Sequence, residues 1–127
     1  MTQQLTPVAL KTWLADYKRA WEERDANRAA VLFTENARYY ETPFDAPKAG
    51  RSGIREYWAT VTADQRSVVF KSEIVAVNAH NGLARWSASL TSAASGARVE
   101  LDGMFFLTFA DGLCSELREW WHVRSTP

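Results

Sequence analysis

The sequence predicts one α+β domain in which three N-terminal helices cover one face of an antiparallel sheet. Helical spacing of apolar residues is confined to the first half of the chain, and the second half consists of long segments rich in β-branched and aromatic residues joined by tight turns. This order, helices first and strands afterwards, is typical of the α+β class. With 127 residues, 46% of them hydrophobic, residues 1–127 supply one core and no second domain.

Three helices are predicted from capping residues and periodicity. Thr6 before Pro7 is an N-cap followed by a proline that costs no hydrogen bond at the first helical position. Asp25 caps a second helix that extends to Phe33, and Ser52 caps a third that ends near Ala63. The first helix buries one face, whose residues are Leu10, Leu14, Tyr17 and Trp21.

Five strands are predicted, one between the second and third helices and four in succession after them. Asn81-Gly82, Ser95-Gly96 and Asp111-Gly112 are predicted as the turns because each offers a glycine for a positive φ. The four C-terminal strands therefore form an antiparallel meander. The predicted strands are Ala37 to Thr42, Val68 to Asn78, Leu83 to Ala94, Ala97 to Ala110 and Leu113 to Val123.

Composition excludes several classes of function. Fifteen basic residues balance fifteen acidic ones without a basic cluster, so no nucleic acid or anionic membrane partner is expected. The segment Met1 to Pro7 lacks the features of a signal peptide, and no window has the roughly 20 apolar residues of a membrane span. Cys114 is the only cysteine and His80 and His122 are the only histidines, so we expect a cytoplasmic protein without a metal. No phosphate loop is present, and no cofactor is expected.

The segment from Val99 to Phe109 carries large apolar groups on both of its alternating faces. Leu101 and Phe105 belong to one set, and Met104 and Phe106 belong to the other. Helices cover only one face of the predicted sheet, so the other would expose an apolar patch. The sequence therefore predicts a homodimer formed through the outer sheet face.

Glu41 and Tyr17 are the candidate catalytic groups. Glu41 lies among aromatic residues where a strand ends before Pro43, and burial of a carboxylate raises its pKa towards the range useful for proton transfer. Tyr17 on the buried helix face could donate a hydrogen bond to a developing oxyanion. Two structural readings compete with this: Tyr17 as a core aromatic, and Glu41 as the ion-pair partner of Arg38.

The order of elements and several residues resemble the nuclear transport factor 2-like superfamily, which includes SnoaL-like domains, and within it the bacterial ketosteroid isomerases most closely. The helix-one tyrosine of that family falls on Tyr17, and its catalytic aspartate falls on Glu41. Further matches are Asp25, Gly50, Ile54, Tyr57, Trp58 and the turn at His80, Asn81 and Gly82. The resemblance implies a curved sheet wrapped around helices into a cone with an internal pocket. It also implies that the relatives of this chain include isomerases, dehydratases, epoxide hydrolases, polyketide cyclases and non-catalytic binding domains.

Two positions depart from the isomerase pattern. Phe105 stands where those enzymes carry an aspartic acid that donates a hydrogen bond to the substrate oxygen, and the base is Glu41 rather than aspartate. Loss of one such donor costs on the order of a hundred- to a thousandfold in rate, which argues against the usual steroid isomerisation.

Two further acidic residues are candidates. Asp102 is acidic on the same strand as Phe105 but belongs to the opposite alternating set, so a structural role is favoured. Glu119 shares a face with Leu117 and Trp121, and it is either an acid that complements Glu41 or a rim residue held by an arginine (Arg118 or Arg85).

The many aromatic residues predict a cavity for a flat or polycyclic apolar molecule. The expected lining residues are Trp21, Tyr39, Phe44, Tyr57, Trp58, Phe70, Trp86, Phe105 and Trp121. The predicted function is cofactor-independent acid/base chemistry on a small apolar carbonyl compound, by isomerisation, dehydration or cyclisation, with Glu41 as base and Tyr17 as donor. The alternative is a non-catalytic domain of the same fold that binds a hydrophobic ligand or a partner protein.

Overall fold

The computed structural model describes residues 4–127, so residues 1–3 of the segment examined for a signal peptide lie outside it. Three helices precede most of a six-stranded sheet. The elements are α1 (Pro7–Glu22), α2 (Ala26–Ala30), β1 (Phe33–Tyr40), β2 (Lys48–Ala49), α3 (Gly50–Thr62), β3 (Gln65–Asn78), β4 (Asn81–Ser92), β5 (Arg98–Ala110) and β6 (Leu113–Thr126). The predicted α+β class is therefore confirmed.

Helix α1 begins as the sequence predicts. The Thr6 hydroxyl accepts a hydrogen bond from the Ala9 amide at 3.1 Å, and Pro7 occupies the first turn. The predicted face is buried, and Trp13 and Ala20 extend it. No helix in residues 4–127 is long and apolar enough to cross a membrane.

The other two helix boundaries differ from prediction. Asp25 caps α2, but the helix ends at Ala30 because Phe33 already pairs with Cys114 as the first residue of β1. Strand pairing and complete burial of Phe33 outweigh its local helical context. Helix α3 begins at Gly50 without a side-chain cap, so the predicted cap at Ser52 is wrong. Gly50 has φ +69°, which favours glycine at this entry to the helix.

The curved sheet has the strand order β2-β1-β6-β5-β4-β3. Strands β3 to β6 form the predicted antiparallel meander. Strand β1 instead runs parallel to β6, which places Tyr39 beside Leu117 and Tyr40 beside Arg118. This parallel pair brings the end of β1, and hence Glu41, next to the middle of β6.

One of the three predicted glycine turns is wrong. Gly96 and Gly112 have positive φ values of 73° and 82° as expected. The turn between β3 and β4 lies at Ala79 and His80, whereas Gly82 belongs to β4. A Cβ at Gly82 would lie 2.8 Å from a Leu10 methyl carbon, so this glycine allows β4 to pack closely against α1.

The two sheet faces differ in their cover. The inner face, which packs against α1 and α3, includes Trp86, Phe105 and Leu117, all buried. The outer face carries half-buried Met104 and Phe106 and the half-exposed Trp120. Pairing of this outer face with a second copy stays a prediction.

Candidate active site

A cavity of about 270 Å³ lies between the inner sheet face and helices α1 and α3. Its wall is mainly aromatic and aliphatic, with two carboxyl groups. The lining residues are Tyr17, Trp21, Tyr39, Glu41, Tyr57, Trp58, Val61, Thr62, Gln65, Trp86, Leu90, Val99, Leu101, Glu119, Trp121 and Val123. A wider and more open groove of about 700 Å³ includes Glu100 and Asp102, but arginines pair with both. We therefore place the candidate site in the smaller cavity.

Glu41 stands at the end of β1 and is half-buried. Strand β1 itself ends at Tyr40, the residue before Glu41. The Trp121 indole donates a hydrogen bond to the Glu41 carbonyl oxygen at 3.2 Å, which ties this end of β1 to β6. Arg38 does not pair with Glu41, since its guanidinium contacts Glu116 at 2.9 Å.

Glu119 is the more deeply buried carboxyl, only 6% exposed. Within residues 4–127 no group donates a hydrogen bond to it, and the two arginines considered as partners are engaged elsewhere: Arg118 pairs with Glu116, and Arg85 pairs with Asp102. Burial, and secondly the Glu41 charge, raise the pKa of Glu119 well above its ordinary value. Burial was predicted for Glu41, but the deeply buried carboxyl is Glu119, whose raised pKa allows it to keep its proton and donate a hydrogen bond.

Three tyrosines face the two carboxyls. The hydroxyls of Tyr17 and Tyr39 are 3.2 Å apart and share one hydrogen bond, which leaves one phenolic proton of the pair free. Burial first, and the Glu119 charge second, raise the pKa of Tyr17, Tyr39 and Tyr57. All three phenols therefore keep their protons at neutral pH and can donate hydrogen bonds.

Six of the nine predicted aromatic lining residues are in the cavity wall, and three are not. Phe44 is 94% exposed in the loop after Glu41, so its placement in the pocket is wrong. Phe70 and Phe105 are wholly buried behind Trp86, whose ring stacks on Phe105 at 5.3 Å and Phe70 at 6.2 Å. They support the wall without lining the cavity.

Asp102 does not reach the cavity. It lies on the outer face, where its carboxylate accepts a hydrogen bond from Arg85 at 2.7 Å. Strand alternation already favoured this position, since Asp102 and Phe105 belong to opposite sets. Asp102 therefore leaves the set of candidate catalytic residues.

Sequence reasoning missed two polar residues of the wall. The Gln65 side-chain oxygen accepts a hydrogen bond from the Trp21 indole at 2.7 Å, and the Thr62 hydroxyl donates to the Trp58 carbonyl at 2.7 Å. Both lie around the short connection between α3 and β3, where no motif marks a site. Residues 4–127 contain no group of three or more His, Cys, Asp or Glu side chains arranged to hold a metal ion.

The helices cover a curved sheet and enclose a cavity that contains two carboxyls and three phenols. This arrangement defines the cone-shaped class of α+β pocket domains. Residues 14–117 match the sequence model of the SnoaL-like domain, and the chain belongs to that family. The resemblance to the nuclear transport factor 2-like superfamily is thereby confirmed. A search among curated protein sequences gave no match.

Solved structures of low sequence identity share this fold. The epoxide hydrolase/cyclase-like enzyme SalBIII, with a role in pyran ring formation in polyether salinomycin, is 21% identical over 89% of this chain and 92% of its own, with a TM-score of 0.76. A Δ5-3-ketosteroid isomerase from Mycobacterium sp. is 14% identical over 93% and 98%, with a TM-score of 0.79. A computationally designed 17-OHP binder is 17% identical over 98% and 99%, with a TM-score of 0.78. At these identities the likeness establishes the fold.

Proposed function

We propose that the chain is a cofactor-independent acid/base enzyme that moves a proton on a small, largely apolar carbonyl compound, by isomerisation, dehydration or cyclisation. One observation carries the proposal: two carboxyls share an apolar cavity in unequal environments. Glu119 is almost fully buried and unpaired, whereas Glu41 is half-buried at the strand end. Environments that separate the pKa values of two carboxyl groups are how enzymes obtain an acid and a base together.

The roles follow from burial and from the available protons. Glu41 accepts the substrate proton. Glu119, which retains its own proton, donates a hydrogen bond to the substrate oxygen where negative charge develops. The free phenolic proton of the Tyr17 and Tyr39 pair supplies a second donor.

The sheet register supports Glu119 as this donor. Phe105, which occupies the position that the family resemblance assigns to a donating aspartic acid, pairs directly with Glu119 across β5 and β6. Directly opposed residues have Cβ atoms about 4.5–5.5 Å apart and project from the same face. The carboxyl missing at Phe105 is therefore replaced from the neighbouring strand, by a longer side chain.

The reaction classes of the structural relatives agree with this chemistry. SalBIII is an epoxide hydrolase/cyclase-like enzyme, and the relative from Mycobacterium sp. is an isomerase. Proton transfer between the protein and an oxygen-bearing substrate is common to isomerisation and cyclisation, so we propose the shared step and not one of the two products.

Exchange of α-protons tests the proposal without knowledge of the natural substrate. We expect the protein to accelerate deuterium incorporation into 2-tetralone in D₂O, followed by NMR. Glu41→Gln keeps the side-chain shape and removes the base, so the acceleration should fall by about 10²- to 10⁴-fold. Glu56→Gln is the matched control, because Glu56 is exposed on α3.

Exchange that is equally fast in the wild type and in Glu41→Gln would overturn the assignment of Glu41. An equal loss of exchange rate in Glu56→Gln would show that the effect comes from a general disturbance of the fold. Far-ultraviolet circular dichroism of each variant checks that the fold is retained.

A second candidate is a non-catalytic domain that binds a hydrophobic ligand. The predominantly aromatic and aliphatic wall favours it, and the designed binder is an example of ligand binding by this fold. Binding of 2-tetralone without any acceleration of exchange over buffer would support this candidate instead.

A further inference from the structure

The cavity of the candidate site is small for a ligand pocket. Its volume of about 270 Å³ falls below the roughly 300–1,000 Å³ of pockets for drug-sized ligands. A side chain in the cavity wall therefore limits the size of the ligand that the site can hold.

Trp86 projects from β4 into the cavity wall and cannot readily move. It is 3% exposed, and its ring stacks on Phe105 with an interplanar angle of 19°. The Trp21 ring lies 5.8 Å from it on another side. A close-packed ring held on several sides fixes the cavity boundary at this point.

The indole nitrogen of Trp86 is buried and has no hydrogen-bond partner among residues 4–127. The indole of Trp58, which also lines the cavity, is likewise buried without a partner among residues 4–127, whereas Trp21 donates to Gln65 and Trp121 donates to the Glu41 carbonyl. A buried donor left unpaired costs about 1–3 kcal/mol. Packing of its ring against Phe105, Phe70 and Trp21, and not a hydrogen bond, therefore holds Trp86 in place.

Gly103 makes room for this ring. It pairs with Trp86 across β4 and β5 and with Trp121 across β5 and β6. A Cβ at Gly103 would lie 3.0 Å from Trp86 Cε2 and 2.9 Å from Trp121 Cβ. The Trp120 carbonyl oxygen would be closer still, so the absence of a side chain at Gly103 leaves space for the backbone of β6 as well as for the Trp86 ring.

We propose that Trp86 is the specificity-determining residue that limits the site to one- or two-ring compounds and excludes four-ring ones. This inference rests on the proposed function for the nature of the ligand, an apolar ring system with one oxygen that accepts a hydrogen bond. The size limit itself follows from the position of Trp86 and the volume of the cavity.

Isothermal titration calorimetry with two probes measures the limit directly. 2-Tetralone represents the two-ring class and a four-ring 3-keto steroid represents the larger class. We expect the wild type to bind 2-tetralone at least tenfold more tightly than the steroid. Trp86→Leu should open the wall and reverse this preference, and Trp86→Phe should change it in the same direction by a smaller factor. Trp120→Leu on the outer face is the control and should leave the preference unchanged.

Wild-type protein that binds the steroid as tightly as 2-tetralone would overturn the inference, and so would an equal change of preference in Trp86→Leu and Trp120→Leu. If Trp86→Leu fails to fold, the wild-type ranking and Trp86→Phe decide the question. Binding is measured without turnover, so an intact size ranking with no proton exchange would remove the proposed function and leave the size limit standing. Proton exchange without the expected size ranking would remove only the size limit.

Discussion

Two carboxyl groups three residues apart on β6 have opposite environments. Glu116 receives hydrogen bonds from Arg38 and Arg118, and Glu119 receives none from any residue between 4 and 127. Burial pulls the pKa of Glu116 upwards, but the hydrogen bonds and charges of the two arginines outweigh it and lower the pKa. At Glu119 burial acts without compensation, and the nearby Glu41 charge adds to it.

The difference shows that the chemistry of a carboxyl here depends on the side of the sheet that it faces. Glu116 lies within reach of arginines, whereas Glu119 faces a cavity that none of the basic residues between 4 and 127 lines. An unpaired buried acid costs stability, and such groups are found at functional sites more often than elsewhere. The unpaired Glu119 on the inner face therefore lowers the stability of the fold, whereas the paired Glu116 on the outer face does not.

The largest expected effect is a difference in the free energy of unfolding between alanine variants of two adjacent phenylalanines, which lie on opposite faces of the sheet. Phe105→Ala removes a fully buried ring from the inner face and should lower the free energy of unfolding by about 3–5 kcal/mol. Phe106→Ala on the outer face should cost less, because that residue is only half-buried. Urea denaturation of both variants measures the contrast, and equal losses would contradict the assignment of faces.

The next largest effect is on the pH dependence of stability, which should have opposite signs for Glu119 and Glu116. The pKa of Glu119 is raised in the folded state, so wild-type stability falls as pH rises from the unfolded-state carboxyl pKa towards the folded one. Glu119→Gln removes this loss and should be more stable than the wild type at neutral pH, with the difference shrinking in acid.

Glu116→Gln should behave in the opposite way. The pKa of Glu116 is lowered on folding, so this carboxylate stabilises the protein above its unfolded pKa, and the contribution is lost as pH falls through the folded pKa. Thermal unfolding of both variants between pH 3 and pH 8 measures the two trends. Trends of the same sign would show that the two carboxyls do not differ as described.

The smallest effect is expected at Asp102. Its ion pair with Arg85 is about half exposed on both sides. Exposed pairs contribute about 0–1 kcal/mol, so Asp102→Asn should change the free energy of unfolding by no more than that and leave 2-tetralone exchange unaffected. A loss of exchange in this variant would return Asp102 to the candidate site.

Local signals predicted much of the framework. Thr6 and Pro7 marked the start of α1, and alternation along β5 placed Asp102 away from the cavity. Predictions failed where distant residues compete with local preference. Phe33 extends β1 because Cys114 pairs with it, and Gly82 is required by Leu10 rather than by a turn.

Local patterns in the chain were enough to predict the α+β order, the capped first helix, the two sets of side chains on β5 and the acidic candidates. Which carboxyl lies buried without an arginine partner was settled by contacts in the folded protein. That outcome depends on the parallel pairing of β1 with β6, which brings Arg38 to Glu116 across 78 positions and sets Glu41 beside Glu119. Such contacts between distant segments leave no periodicity or motif in the chain, because hydrogen bonding and burial act in space and not along the sequence.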